Sequence, residues 1–275
     1  MYRGFDIGTD KVPMEQRRAV PHHIIDVVEP TDEYTAARYV RDAVAAIRDI
    51  YLRGRWPILA GGTGLYYRAL VRGLFPGPAR DAVFRERLEA IAKRRGVEFL
   101  HRMVARVDPP SARRIHPRDL RRLVRALEVC FLTGRPLTEH FAATVSPLQE
   151  YDTLSIALVI PMAEITARID RRVAAQFDRG LLDEIRGLLA RGVPDTARPF
   201  GGLVYRQALE HLQGLRDEPE TRALIARETR RYARRQLIWF HKEPNLVWLH
   251  GSGEEPSTLP AVEAALAARV QEILR

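Results

Sequence analysis

One short stretch constrains this chain more than any other. Trp56-Pro57-Ile58-Leu59-Ala60 is an apolar run, Gly61-Gly62-Thr63-Gly64 is a glycine turn, and residues 65–74 resume a helical pattern. Strand, glycine turn and helix form the unit from which parallel sheets are built, because parallel strands need a long crossover that a helix supplies. The spacing predicts a buried strand at 56–60. Residues 154–160 and 246–249 are two more short apolar runs expected to be strands, with 154–160 in the same sheet as Ile58.

Helical periodicity surrounds these runs. Residues 34–53 place Tyr39, Ala43, Ala46, Ile47 and Ile50 on one face before Gly54. Pro76-Gly77-Pro78 marks a change of composition. Beyond it, residues 80–133 read as helical and Arg-rich, interrupted at Asp108-Pro109-Pro110 and stopped by Gly134 and Pro136. Further helices are expected at 163–179, 181–191, 220–241 and 259–274. The resulting division is an α/β core in two parts, 1–77 and 146–275, with a helical insertion at 78–145.

Charge narrows the partners. Lys plus Arg is 44 against 35 for Asp plus Glu, a net +9, and only Lys11, Lys93 and Lys242 are lysines. An arginine surplus suits a polyanion, since neutralised phosphates release counterions, although arginine-favouring codons would produce the same excess. Hydrophobic content of 46% with 29% charged residues describes a folded globular protein. The single cysteine, Cys130, excludes an intrachain disulfide and suits a reducing compartment, the cytoplasm. Its neighbours Val129, Phe131 and Leu132 place it in the core as an inert thiol. No apolar run approaches the ~20 residues of a membrane helix, and the eight histidines and one cysteine show no zinc-ligand spacing. The adjacent pair His22-His23 reads as structural.

Several motifs carry chemistry. Gly61, Gly62 and Thr63 permit close approach of a ligand to the backbone at the start of a helix, where amides favour negative charge. The same pattern is equally a plain chain reversal. Arg121 and Arg125 stand one helical turn apart, with Arg118 and Arg122 on a neighbouring face, and Arg113, Arg114 and His116 nearby. This is a cationic surface suited to phosphate, with Glu128 available to pair with Arg121 or Arg125. Arg227, Arg231 and Arg234 form a second row on a helix that also carries Arg235, Gln236, Tyr232, Trp239 and Phe240. The row suits RNA phosphate, and Trp239 suits the core. Arg206, in Tyr205-Arg206-Gln207 after Gly201-Gly202, is placed either to clamp a diphosphate or to lie in solvent.

In order along nearly the whole chain, these elements resemble the tRNA dimethylallyltransferases. The pieces are Tyr2-Arg3-Gly4 through Asp6-Ile7-Gly8-Thr9-Asp10-Lys11, Pro21-His22-His23, Gly61-Gly62-Thr63-Gly64-Leu65-Tyr66, Arg114-Ile115-His116-Pro117, and Arg122 through Glu128. Tyr205-Arg206-Gln207, Thr229-Arg230 and Arg234-Arg235-Gln236 complete them. Singly each is weak; together they are specific. The resemblance implies a P-loop-kinase-like parallel α/β core carrying a helical, tRNA-gripping insertion. It also implies transfer of a dimethylallyl group from dimethylallyl diphosphate to N6 of the adenosine 3′ to the anticodon, with Mg²⁺. By motif position it makes Thr63, Arg85 and Arg206 catalytic, and gives the diphosphate Gly61, Gly62 and Arg206. It lays Tyr2, Arg121, Arg122, Leu123, Val124, Arg125, Arg231, Arg234, Arg235 and Gln236 along tRNA. A cytoplasmic monomer off the membrane is expected.

The chain departs from the family pattern in two ways. Its Gly-rich Lys-Ser/Thr phosphate loop and the Asp that would orient N6 are not found, so the core is expected to be N-terminally truncated and this polypeptide to turn over negligibly. Val204 stands where Gly is frequent in the family. Two other functions fit the same residues: a catalytically inactive tRNA-binding remnant, and an isopentenyltransferase that accepts a free nucleotide.

Overall fold

The computed structural model describes residues 1–75 and 77–275. The expected boundary at Pro76-Gly77-Pro78 falls partly on Pro76, which lies outside the described residues. In chain order the helices are α1 (Met14–Ala19), α2 (Ala36–Leu52), α3 (Gly64–Val71), α4 (Ala82–Arg95), α5 (Val97–Val107), α6 (Pro109–Arg114), α7 (Leu120–Thr133) and α8 (Leu137–Ala142). Strand β1 (Ser155–Val159) follows, then α9 (Met162–Asp178), α10 (Leu181–Ala190), a 3-10 turn at Arg198–Gly201, α11 (Leu203–Leu212), α12 (Glu218–Phe240), β2 (Leu246–His250) and α13 (Thr258–Ile273). The chain divides into two compact units. A split unit joins Met1–Tyr67 to Tyr151–Arg275, and a helical unit comprises Arg68–Glu150.

In the split unit β1 and β2 pair in parallel, from Ser155 opposite Leu246 to Val159 opposite His250. The crossover between them is the run α9 to α12, which satisfies the geometric need of a parallel pair. Aspartate at the start and a proline within the first turn set the beginning of α12: Asp217 accepts from the Glu220 amide at 2.7 Å. Helices α9, α10, α11 and α12 bury Ile169, Phe177, Leu181, Ile185, Phe200, Tyr205 and Ile225, and Phe5 joins them from the N-terminal segment. That segment is held beside residue 28 by an isolated parallel bridge between Tyr2 and Val28.

In the helical unit α4, α5 and α7 pack mutually, with α6 against α5. Asp81, Asp108 and Asp119 each cap the helix that follows, accepting from Phe84, Ser111 and Arg122 amides respectively. On α7, Leu123, Ala126, Leu127 and Val129 recur at helical spacing and meet Leu88, Leu100 and Val104. Asp108-Pro109-Pro110 interrupts the helical run as expected. It also starts α6, with proline in the first turn where no amide is needed.

One expected element is absent. Residues 56–60 form no strand, and β1 pairs with β2 rather than with Ile58. Trp56 is 69% and Ile58 89% exposed. An apolar run becomes a buried strand only where ladders flank it, and among the described residues the only named strands are β1 and β2.

Candidate functional site

The glycine turn is built against α12. The Gln236 side-chain amide donates to the Gly62 carbonyl at 2.8 Å. A Cβ at Gly62 would collide with that amide nitrogen, and one at Gly64 with the Trp239 ring. Close approach therefore requires glycine at Gly64, whereas at Gly62 a side chain would displace the flexible end of Gln236. Tyr67, one turn into α3, sets its ring edge-on to Trp239 and Phe240 and donates its hydroxyl to Ser155 Oγ at 2.9 Å. Tyr66 stacks on Tyr39 with centroids 4.3 Å apart. Thr63 is exposed, and its carbonyl accepts from the Tyr66 and Tyr67 amides at 3.0 Å each, starting α3. Trp239, expected in the core, is half-buried on Gly64. Gln236, expected along tRNA, has its amide engaged by the turn.

The N-terminal motif is fastened to α9, α10 and α11. Glu184 Oε2 accepts from the Asp6 and Ile7 amides at 2.9 and 2.8 Å, while Oε1 accepts from the Tyr205 hydroxyl at 2.6 Å. That hydroxyl in turn accepts from the Gly8 amide at 3.0 Å. A Cβ at Gly8 would lie 2.7 Å from the Tyr205 ring, so the loop closes only around glycine. Burial, then the hydrogen-bonded Glu184 carboxylate, push the Tyr205 phenol far above its ordinary pKa, so it stays neutral. Asp10 receives Gln176 at 2.9 Å and Arg179 at 2.5 Å. Lys11 is buried between Asp6 and Asp26 and donates to the Tyr2 carbonyl at 3.0 Å. Burial opposes ionisation of Asp26, yet hydrogen bonds from Lys11 and Arg17 hold its pKa below normal. Tyr2 itself packs partly buried on the core of the split unit.

Arg206 follows Tyr205 on α11 and is exposed. It lines an open depression of about 380 Å³ with Arg198, Phe200 and Glu210. The Tyr205–Gly8 bond thus brings the Tyr205-Arg206-Gln207 motif and the Tyr2-to-Lys11 motif together. On α12, Arg231 pairs with Glu228 at 2.6 Å, Arg235 lies over the Tyr232 ring, and Arg234 is exposed.

The helical unit holds the other candidates. Glu128, fully buried, receives Arg85 Nε and Nη2 at 2.7 Å each, Arg125 Nη1 at 2.6 Å and the Asp81 amide at 3.0 Å. Burial alone would raise its pKa, but these donors outweigh it and hold the carboxyl at about 2. Arg125 also donates to the Pro78 carbonyl at 3.2 Å. Arg85 and Arg125 are therefore held by one carboxylate in this unit. Arg121 and Arg122 are exposed, and Arg122 reaches Asp119 at 3.2 Å. Leu123 and Val124, expected along tRNA, are 0% and 3% exposed. Their side chains fill the core of the helical unit and cannot reach RNA, because the exposed side of α7 belongs to Arg121 and Arg122. Cys130, expected in the core, is half-buried, and burial raises its thiol pKa.

Sequence reasoning missed Glu184 and Gln176. Glu184 stands in the first turn of α10, where an acidic residue is favoured by the helix dipole alone, so nothing in the local pattern signals its remote partners. Among the described residues no group of three or more His, Cys, Asp or Glu is placed to hold a metal ion, and His22 instead contacts the Val20 carbonyl.

Comparison with known proteins places this architecture in a class. The family model described as IPP transferase matches residues 1–243. In fold, the chain superposes on a full-length tRNA isopentenylpyrophosphate transferase from Bacillus halodurans with a TM-score of 0.70 at 34% identity. That match covers 98% of this chain and 85% of the other. A eukaryotic dimethylallyltransferase whose crystal structures show it acting on tRNA gives a TM-score of 0.78 at 25% identity, over 99% of this chain and 70% of its own. The fold class is thus that of the isopentenyltransferases, an α/β core of the P-loop-like kind. A tRNA dimethylallyltransferase of Solibacter usitatus is 47% identical over 256 residues, covering 93% of this chain and 83% of that relative. The chain belongs to the tRNA dimethylallyltransferase family.

Proposed function

We propose that this chain modifies tRNA by moving a dimethylallyl group from dimethylallyl diphosphate to N6 of the adenosine 3′ to the anticodon. The observation that carries the reading is the family match over residues 1–243, with the glycine turn and the Tyr205-Arg206-Gln207 motif both ordered within the split unit. In the reaction the allylic carbon–oxygen bond to diphosphate breaks, the N6–carbon bond forms, and one N6 proton is released. Adenine N6 is a weak nucleophile, so the step depends on stabilising the departing diphosphate. Arg206 supplies cationic charge to that leaving group, Gly61 and Gly62 admit it close to the backbone, and Thr63 stands at the reacting end. Such a base must leave its stack to be reached, and the exposed arginines of α7 and those of α12 each supply phosphate contacts. Arg85 stays in the proposed catalytic set with Thr63 and Arg206, its guanidinium oriented by Glu128.

Magnesium belongs to this proposal only through the substrate. The described residues offer no protein cage for it, and Mg²⁺ with phosphates characteristically keeps most of its shell in substrate oxygens and water. Among the described residues no helix is long and apolar enough to cross a membrane. The proposed setting is the cytoplasm, which the lone Cys130 fits, and the proposed state is a monomer, since one copy carries both the turn and the arginine rows.

The test is incubation of the full gene product with tRNA, Mg²⁺ and labelled dimethylallyl diphosphate, followed by digestion and mass spectrometry. Label on N6 of the adenosine beside the anticodon is the expected result. Label in free adenine nucleotides with none in tRNA would overturn the reading.

A further inference from the structure

The Gly62–Thr63 peptide has a fixed direction, and one side chain fixes it. A trans peptide plane holds its carbonyl and its amide N–H on opposite sides. Gln236 Nε2 captures the Gly62 carbonyl at 2.8 Å, so the Thr63 N–H of that plane is turned away from α12. Thr63 is exposed, and among the described residues its amide and hydroxyl have no hydrogen-bond partner. Gly62 has no Cβ to stiffen it and does not lie at positive φ, so nothing in its own covalent structure selects this orientation. Trp239, one turn further along α12, packs its ring against Gly64.

We infer that Gln236 is a positioning residue for Thr63: by anchoring the Gly62 carbonyl it keeps the Gly62–Thr63 peptide from flipping and presents the Thr63 amide and hydroxyl to the substrate. This rests on the reading of Thr63 as part of the reacting site. It gives Gln236 a role within the protein rather than on RNA, since one of its amide hydrogens is held by the Gly62 carbonyl. It also makes α12 a rigid link, with Arg231, Arg234 and Arg235 exposed on the turns preceding the residue that sets the glycine turn. The absence of a side chain at Gly62 is then explained by the anchor: any Cβ there would expel the Gln236 amide.

Two substitutions separate this role from RNA binding. Gln236→Glu keeps the shape but cannot donate while ionised. Gly62→Ala keeps Gln236 but displaces its flexible end, with no backbone strain. At saturating tRNA and donor, both variants are expected to slow single-turnover transfer by roughly tenfold to a hundredfold, the range below outright loss of a preorganised donor. Their tRNA Kd and its salt dependence are expected to match the parent. A weakened Kd with unchanged turnover would overturn the inference and make Gln236 an RNA ligand. If the parent itself transferred nothing to tRNA, the proposed function would fail on its own. Crystal structures of the two variants would then decide this point. A Gly62–Thr63 peptide that is flipped or split between two orientations supports the anchor, and one unchanged from the parent refutes it.

Discussion

The two units differ most in how they hold charge. The helical unit, Arg68–Glu150, has 17 Lys and Arg against 9 Asp and Glu, a net +8. Subtracting these from 44 and 35 for the whole chain leaves 27 against 26 in the split unit, a net +1. Nearly all the cationic surplus therefore lies in less than a third of the chain. In the split unit charges are tied pairwise to the fold: Lys11 with Asp6 and Asp26, Arg179 with Asp10, Arg230 with Asp170. In the helical unit the surplus stays on the surface, and the one fully buried carboxylate that receives arginines, Glu128, serves two of them. One unit thus uses its charges pairwise to hold its own segments together, while the other carries a cationic surplus of the kind that attracts polyanions.

This contrast is broken most severely by Glu128→Ala. Removing it leaves the Arg85 and Arg125 guanidiniums without their shared carboxylate; both are partly exposed, so the cost falls at or below about 3 kcal/mol, the lower end for a broken buried pair. Urea unfolding should show that loss; a change under 1 kcal/mol would mean the cluster is not structural.

Acid should reach the same place by titration. The folded pKa of Glu128 lies below the usual carboxylate value, so its stabilisation is fully present above about 4.5 and is lost as pH falls towards about 2. A shift of that size corresponds to about 3 kcal/mol. Asp108, buried but held below its normal pKa by Thr138 and Ser111, moves in the same sense. Hydrogen exchange between pH 5 and pH 3 should therefore show α4, α5 and α7 losing protection before α9 to α11. Simultaneous loss would erase the distinction between the units.

Tyr205→Phe sharpens the contrast from the other side. It removes one hydroxyl that joins Gly8 to Glu184 and leaves the Gly8 amide without its partner, a cost of about 1–3 kcal/mol. The N-terminal loop should become protease-sensitive while the helical unit keeps its stability. Smallest of all is Ile58→Ala, expected to stay within about 0.5 kcal/mol because the side chain is exposed. A large loss on thermal melting would show that residues 56–60 are buried after all.

Ile58 also marks where sequence reading ends. A run such as 56–60 carries the pattern of a buried strand, but strandhood is decided by ladder partners far away in sequence, which no local pattern contains. Helices were legible because their signals are local: Asp119 starts α7, Asp217 starts α12, and apolar residues recur between cap and stop. The chemistry divided the same way. Motifs such as Gly61-Gly62-Thr63-Gly64 and Tyr205-Arg206-Gln207 announced themselves, and the family followed from their order. The pairing of Arg85 with Glu128 spans 43 residues and that of Glu184 with Ile7 spans 177. Neither separation has a sequence signature. The resemblance lays Leu123 and Val124 along tRNA with their arginine neighbours by motif position, although a helix sends adjacent residues to different faces.

The proposal that the surplus arginines of the helical unit contribute to RNA binding, alongside those of α12, is tested most directly by the salt dependence of tRNA affinity. The slope of log Kd against log salt should be compared for the parent, for Arg121→Ala/Arg122→Ala, and for Arg171→Ala/Arg186→Ala in the split unit. All four arginines are exposed, so folding is not at issue. The account predicts that the first pair weakens binding and flattens the slope by about 2, near 0.9 for each phosphate neutralised, while the second pair leaves it unchanged. Equal flattening by both pairs, or none by Arg121→Ala/Arg122→Ala, would contradict it.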